Sequence, residues 1–81
     1  MSWLALRRAD EAVAGLVDEM LASYIDWREG AAAARDAYTR WCSAPAGEED
    51  SMYSAYMAAL DQEESAAARY AVVLEHVERS L

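Results

Sequence analysis

Few side chains in this chain have the type and spacing that chemistry requires. Three and four residues from the one histidine, His76, stand only Val72, Val73, Arg79 and Ser80, so its helical face offers no second metal ligand. The one cysteine, Cys42, has no histidine near it in sequence to activate a thiolate. Nothing resembles a nucleophile elbow or a phosphate-binding loop. We therefore expect no enzyme activity, no cofactor and no metal.

Carboxylates are the remaining candidates, and Glu63 stands out among them. It falls within an apolar arc, seven residues from both Tyr56 and Tyr70. A buried carboxylate needs a partner, and we expect Glu63 and Arg28 to form a buried polar pair that fixes the register of two helices. The alternative is a divalent metal held by Glu63 and its acidic neighbours across a dimer, although the Glu-x-x-His motif of di-metal bundles is absent.

Composition narrows the classes of partner. The formal net charge is −8, and all seven basic residues are arginine, which disfavours nucleic-acid and anionic membrane partners. The absence of lysine and the abundance of alanine suggest a high-GC bacterium or its phage as the source. One cysteine fits a reducing compartment. We expect no signal peptide, because the apolar run in the opening MSWLALRR is too short, and no membrane span, because no apolar stretch approaches roughly 20 residues. These features predict a cytoplasmic protein.

The strongest break in the chain separates two helices. Pro45 and Gly47 lie in the segment CSAPAGEED, and the carboxylates that follow favour the start of a new helix. We predict one all-α domain over residues 1–81, with a helix over about 2–41, a turn over 42–47 and a helix over about 48–80. The result is a long antiparallel hairpin. Gly30 costs about 1 kcal/mol within a helix, so three helices with a break there are the alternative.

A seven-residue rhythm predicts the core of this hairpin. Apolar residues of the first helix recur in steps of three and four, and a turn near Pro45 places residue i beside roughly residue 90 − i. Bulky aromatic residues then face alanines, as close packing requires. The predicted core comprises Val13, Val17, Met20, Tyr24, Trp27, Tyr38, Trp41, Tyr56, Leu60 and Leu74.

Apolar residues are more numerous than one hairpin can cover, because a partner helix hides a stripe of only about 100°. We expect two hairpins to pair as a four-helix-bundle homodimer. The predicted interface comprises Leu21, Ile25, Tyr53, Tyr70, Val73 and Val77. Two alternatives are an N-terminal segment containing Trp3, Leu4 and Leu6 that folds back as a third helix, and a foreign protein partner.

These features favour a non-enzymatic interaction or scaffolding protein that self-associates and binds a protein through an apolar helix face. In length, acidity and two-helix layout the chain also resembles the small secreted hairpins of the WXG class. Their hallmark is Trp-x-Gly at the turn, whereas here the nearest string is WREG, residues 27–30. That resemblance implies export by specialised actinobacterial systems. A third alternative is an acidic nucleic-acid mimic or inhibitor, phage-encoded, that uses Glu11, Asp18, Glu29 and Asp36.

Overall fold

The computed structural model describes residues 2–81 and contains two helices. Helix α1 spans Trp3–Cys42 and helix α2 spans Glu49–Ser80. The Ser2 hydroxyl caps α1 by accepting a hydrogen bond of 3.2 Å from the Ala5 N–H, which satisfies one of the free donors at that end. The helices lie antiparallel in a rod of 69 × 14 × 13 Å. The predicted all-α helical hairpin is therefore confirmed.

The turn occupies residues 43–48, one residue later than the segment expected from sequence. Gly47 has φ +90°, a left-handed conformation that residues with a β-carbon rarely adopt. The Glu48 N–H donates to the Pro45 carbonyl over 3.0 Å. The Glu49 carboxylate accepts from the Gly47 N–H over 3.3 Å and lies in the first turn of α2, where the helix dipole favours negative charge.

Helix α1 continues through Gly30 without interruption, so the three-helix alternative is wrong. The alternative in which the N-terminal segment folds back as a third helix is also wrong. Trp3, Leu4 and Leu6 belong to the first turns of α1 and are exposed. Intrahelical hydrogen bonds over 40 residues offset the free-energy cost of one glycine. Gly30 also packs against the backbone of Glu63, where a β-carbon would be crowded.

The register of the hairpin differs from the predicted one by four residues. The aromatic pairs Tyr24–Tyr70, Tyr38–Tyr56 and Trp41–Tyr53 place residue i opposite residue 94 − i. The chain reverses around Gly47 rather than Pro45, and each residue by which the centre moves shifts the opposing position by two. In this register residue 13 faces residue 81. Residues 3–12 of α1 therefore extend beyond the end of α2, as an overhang of about 15 Å.

The core is a single narrow seam between the helices. Its α1 members are all buried or half-buried and recur in steps of three and four: Val13, Leu16, Met20, Ser23, Trp27, Gly30, Ala34, Ala37 and Trp41. Those of α2 follow the same rhythm: Met52, Tyr56, Ala59, Glu63, Ala66, Tyr70, Val73 and Val77. Among residues 2–81 only Ala34, Ala66, Val73 and Val77 are buried, and none of the large side chains described is fully buried.

The seam of α1 is rotated relative to the predicted one. Tyr24 and Tyr38 were expected in the core, but they are 40% and 49% exposed. Small residues such as Ser23 and Ala37 occupy the seam in their place. The face of α1 that contacts α2 is therefore rotated by roughly 50° around the helix axis from the predicted face. The other predicted core residues are half-buried: Val13, Val17, Met20, Trp27, Trp41, Tyr56, Leu60 and Leu74. Small residues in the seam let the two backbones approach closely.

Candidate interaction surface

The rotation of the seam leaves the two broad sides of the hairpin chemically different. One side, here called the apolar side, carries the exposed side chains of Leu21, Tyr24, Tyr38, Tyr53 and Met57. Half-buried Val17, Leu60 and Leu74 lie between them and the seam. The groove along its middle is lined by Ala31, Ala34, Arg35, Tyr38, Thr39, Tyr56, Leu60 and Glu63.

The opposite side, here called the polar side, is dominated by charged and hydroxyl groups. Its groove is lined by Asp26, Glu29, Gly30, Ala33, Asp61, Gln62, Ser65, Ala66 and Arg69. Val72, which lines the continuation of that groove, is an exposed large hydrophobic residue of the polar side. Within residues 13–80, where the helices pair, five of the seven exposed large hydrophobic residues therefore lie on the apolar side, and such a one-sided patch marks an interaction site.

Two aromatic clusters anchor the apolar side to the seam. In the first, the rings of Trp27 and Tyr70 are stacked across the helices at 5.6 Å, and the Tyr24 ring meets both edge-on, at 6.0 and 5.6 Å. Such pairs contribute about 0.5–1.5 kcal/mol beyond the area that they bury. Tyr24 flanks the seam, and it remains partly exposed on the apolar side.

The second cluster repeats this arrangement two heptads nearer the turn. Trp41 stacks on Tyr56 at 5.8 Å and packs against Tyr53 at 5.0 Å. Tyr38 meets Trp41 and Tyr56 edge-on at 6.1 and 5.4 Å. Tyr38 and Tyr53 remain exposed, so this cluster also offers aromatic surface to the apolar side. The repeated tyrosine–tryptophan spacing therefore places the tryptophans in the seam and the tyrosines Tyr24 and Tyr38 beside it.

The structure does not bring Glu63 and Arg28 together as a buried pair, and that prediction is wrong. Arg28 is exposed, Glu63 is half-buried, and no charged residue among residues 2–81 is fully buried. Every ion pair in this part of the chain joins residues four apart in one helix: Arg7–Glu11, Arg40–Asp36 and Arg79–Glu75. Glu63 lies opposite Gly30 and lines the groove of the apolar side, so its carboxylate has access to water.

The predicted oligomer interface divides into two groups. Val73 and Val77 are buried and Tyr70 stacks on Trp27, so these three belong to the seam within the hairpin, and their assignment to the interface is wrong. Leu21, Ile25 and Tyr53 are exposed. Leu21 and Tyr53 lie on the apolar side, whereas Ile25 follows Met20 by five residues and so lies on the face of α1 opposite the seam.

Sequence reasoning missed three members of the apolar side. Tyr24 and Tyr38 were assigned to the core, and Met57 was assigned neither to the core nor to the interface, whereas all three are exposed. The overlooked signal was the row of small residues Ser23, Gly30 and Ala37 at seven-residue spacing. Such a row permits close helix contact and pushes the neighbouring bulky positions to the flank.

The hairpin exposes more surface than a globular protein of its size. Its accessible area is 6091 Å², while a folded monomer of 9.0 kDa exposes about 4,900 Å². The excess of roughly 1,200 Å² exceeds the area of about 800 Å² that each partner buries in a standard protein interface. A second layer of helices would bring the exposed surface back to the ordinary range.

The groups considered for chemistry lie apart. His76 and Cys42 are both exposed, His76 in the last turns of α2 and Cys42 at the end of α1 beside the turn. A hydrogen bond with the Cys42 side chain, together with its charge when ionised, raises the pKa of the Tyr38 hydroxyl. Among residues 2–81 no three His, Cys, Asp or Glu side chains are grouped to hold a metal ion. The described helices include none that is long and apolar enough to cross a membrane.

The alternative functions depended on the WREG string and on the acidic row of α1, and the structure shows where both lie. The WREG string lies in the middle of α1, with Trp27 and Gly30 both in the seam, and the turn contains no tryptophan. Of the acidic row, Glu11 and Asp36 pair with the arginines Arg7 and Arg40, which reduces its likeness to a row of phosphates. Comparison with known protein families, curated proteins and solved structures finds no match to this chain.

Proposed function

We propose that this chain is a non-enzymatic interaction or scaffolding protein that self-associates through its apolar side and binds a further protein through apolar helix surface. The observation that carries the proposal is the one-sided distribution of exposed large hydrophobic residues. Tyr24, Tyr38 and Tyr53 contribute aromatic rings to a single side, and tyrosine is among the residues enriched in protein interfaces. Its single cysteine fits action in the reducing cytoplasm.

A second copy of the hairpin is the first occupant of this surface. The apolar side is long, straight and only two helices wide, so a flat two-helix layer of equal length matches it. Packing two such layers face to face gives a four-helix bundle, in which four helix–helix seams replace the two seams of the separate hairpins. The excess accessible area supports this assembly, since it is large enough to supply a standard interface on each copy.

The overhang, residues 3–12 of α1, is the surface that we assign to a different protein. Trp3 is 69% exposed, and Leu4 and Leu6 are also exposed. The Arg7 guanidinium stands 5.5 Å from the centre of the Trp3 ring. A single amphipathic helix of this kind suits docking into an apolar groove of another helical protein.

A matched pair of substitutions tests self-association. Leu21 on the apolar side is 51% exposed and Val72 on the polar side is 52% exposed, so placing glutamate at either position costs the isolated hairpin about the same. We expect sedimentation equilibrium at micromolar concentration to show a dimer for the wild type and for Val72→Glu, and a monomer for Leu21→Glu. A monomeric, fully helical wild type would refute the proposal, as would equal effects of the two substitutions.

A further inference from the structure

Building on the proposed self-association, we infer how the second copy is oriented: both turns lie at the same end of the bundle, and α1 of each copy packs over α2 of the other. In this arrangement Arg28 of each copy faces Glu64 of the other copy. The inference rests on the charges of the apolar side and on their axial positions in the hairpin.

Charged residues on the apolar side are few near its middle, and they are segregated by helix. Arg28 and Arg35 stand on the α1 edge, seven residues apart, and Arg35 lines the apolar groove. Glu64 stands on the α2 edge, four residues after Leu60 of the same groove. None of the three takes part in an ion pair among residues 2–81. Each is exposed and able to meet a charge on another molecule.

The register fixes the heights of these charges along the rod. Residue i lies level with residue 94 − i, so Arg28 is level with Ala66, and Glu64 is displaced from it by two residues, or about 3 Å. Opposite charges therefore stand at one height on opposite edges of the same surface. Leu21 is level with Val73, so its position along the rod is close to the positions of Ala71 and Leu74 on the α2 edge.

Two symmetric dimers bring apolar sides together, and their charge contacts differ. With both turns at one end, each α1 edge lies over the α2 edge of the other copy at equal height. Arg28 then meets Glu64 twice, and Leu21 packs over Ala71 and Leu74. Both contacts are complementary, and complementary charge is what fixes the register and orientation of an interface.

With the turns at opposite ends, each helix instead lies over its own copy. The two-fold axis then crosses the middle of the paired helices, near Arg28 in α1 and Ala66 in α2. Arg28 meets Arg28 directly, and the two Glu64 residues lie within about 8 Å of each other along the rod. Like charges placed in contact across an interface disfavour it strongly. Charge complementarity thus selects the dimer with both turns at one end.

The single native cysteine allows the two dimers to be distinguished by distance. Cys42 is exposed and lies next to the turn. If the turns share an end, spin labels on Cys42 of the two copies would be attached at α-carbons about 15 Å apart. This distance is the diagonal of a bundle with helix spacings near 10 Å. Opposite ends would separate these α-carbons by about 44 Å, because Cys42 lies at the end of the paired part of α1, residues 13–42, whose middle is near Arg28.

A second label site excludes interference by the label itself. Ser51→Cys in a Cys42→Ala background places the label at the same end on an exposed position of α2. We expect short distances from both sites by pulsed electron resonance. A dimer that shows only the long distances overturns the orientation and leaves the proposed self-association standing, whereas a monomeric wild type overturns the self-association itself.

Reversing the charges of Arg28 and Glu64 tests the predicted contact independently, with the dimer dissociation constant measured by sedimentation equilibrium. We expect Arg28→Glu and Glu64→Arg each to weaken dimerisation about tenfold or more by placing like charges together, and the double exchange to restore it to within about threefold. Arg69→Glu on the polar side is the control and should leave the dissociation constant unchanged. Single exchanges without effect, or a double exchange that adds the two losses, would overturn the predicted contact.

Discussion

The backbone of Gly30 in α1 lies directly against the backbone of Glu63 in α2. A β-carbon added to Gly30 would stand 3.3 Å from the Glu63 Cα and 3.8 Å from its Cβ and N. At this point the two helices approach as closely as a glycine allows. The contact explains both why a glycine is tolerated in the interior of a long helix and how a carboxylate can occupy a seam position, since its side chain leaves the seam on the apolar side.

The two helical glycines should respond differently to substitution by alanine. Gly15→Ala adds a β-carbon with nothing within 4 Å and should raise the free energy of unfolding by about 0.5–1 kcal/mol through helix propensity. Gly30→Ala gains the same propensity but presses on backbone that cannot rotate away, so we expect it to be less stable than Gly15→Ala by at least about 1 kcal/mol. Urea denaturation at one protein concentration measures both. Equal stabilisation would show that the helices do not touch at Gly30.

Two tryptophans offer a test of the seam. Trp27 is half-buried and stacked on Tyr70, so Trp27→Ala should lower the free energy of unfolding by about 3 kcal/mol. Trp3 is largely exposed on the overhang and contacts the Arg7 guanidinium, and Trp3→Ala should cost less than about 1 kcal/mol. Thermal and urea unfolding of both variants gives the comparison. A loss from Trp3→Ala that matches the loss from Trp27→Ala would mean that the overhang is packed.

Glu63 and Arg28 should be energetically independent in the hairpin. Since no ion pair joins them, Glu63→Gln should change the free energy of unfolding by less than about 0.5 kcal/mol. A double-mutant cycle with Arg28→Ala, run on a Leu21→Glu background to remove dimerisation, should give a coupling energy near zero. A coupling above about 1 kcal/mol would restore the predicted pair.

Tyr38 gives a pH-dependent signal. Its pKa is raised by hydrogen bonding and charge from Cys42, then by burial and by Tyr56, so the folded state holds this proton more tightly than the unfolded chain does. The resulting stabilisation is complete below the unfolded pKa of about 10 and is lost as pH rises through the folded value.

Replacing Cys42 by alanine should lower the Tyr38 pKa towards its ordinary value. The tyrosinate absorbance, titrated in the wild type and in Cys42→Ala with Tyr38→Phe variants as blanks, measures the shift. An unchanged Tyr38 titration in Cys42→Ala would assign the raised pKa to burial and Tyr56 instead.

Much of the architecture was predictable because it depends on local physics. Pro45 and Gly47 interrupt an otherwise helix-forming chain, and a rhythm of three and four residues requires that each helix present one apolar edge. These constraints act within about one helical turn of each residue, so they can be read without knowing what lies opposite. The two helices, their approximate limits and their antiparallel pairing follow from them.

The register and the rotation of the helices were decided only by the tertiary structure. Steps of three and four suit a seam through Tyr24 and Tyr38 as well as one through Ser23 and Ala37, and burial of large rings favours the first. The structure adopts the second, because Gly30 and its small neighbours let the backbones meet, and packing over the whole length depends on that approach. From sequence alone, neither the position of Glu63 opposite Gly30 nor the membership of the apolar side could be derived, since each depends on contacts between residues far apart in the chain, from Trp41 with Tyr53 to Tyr24 with Tyr70.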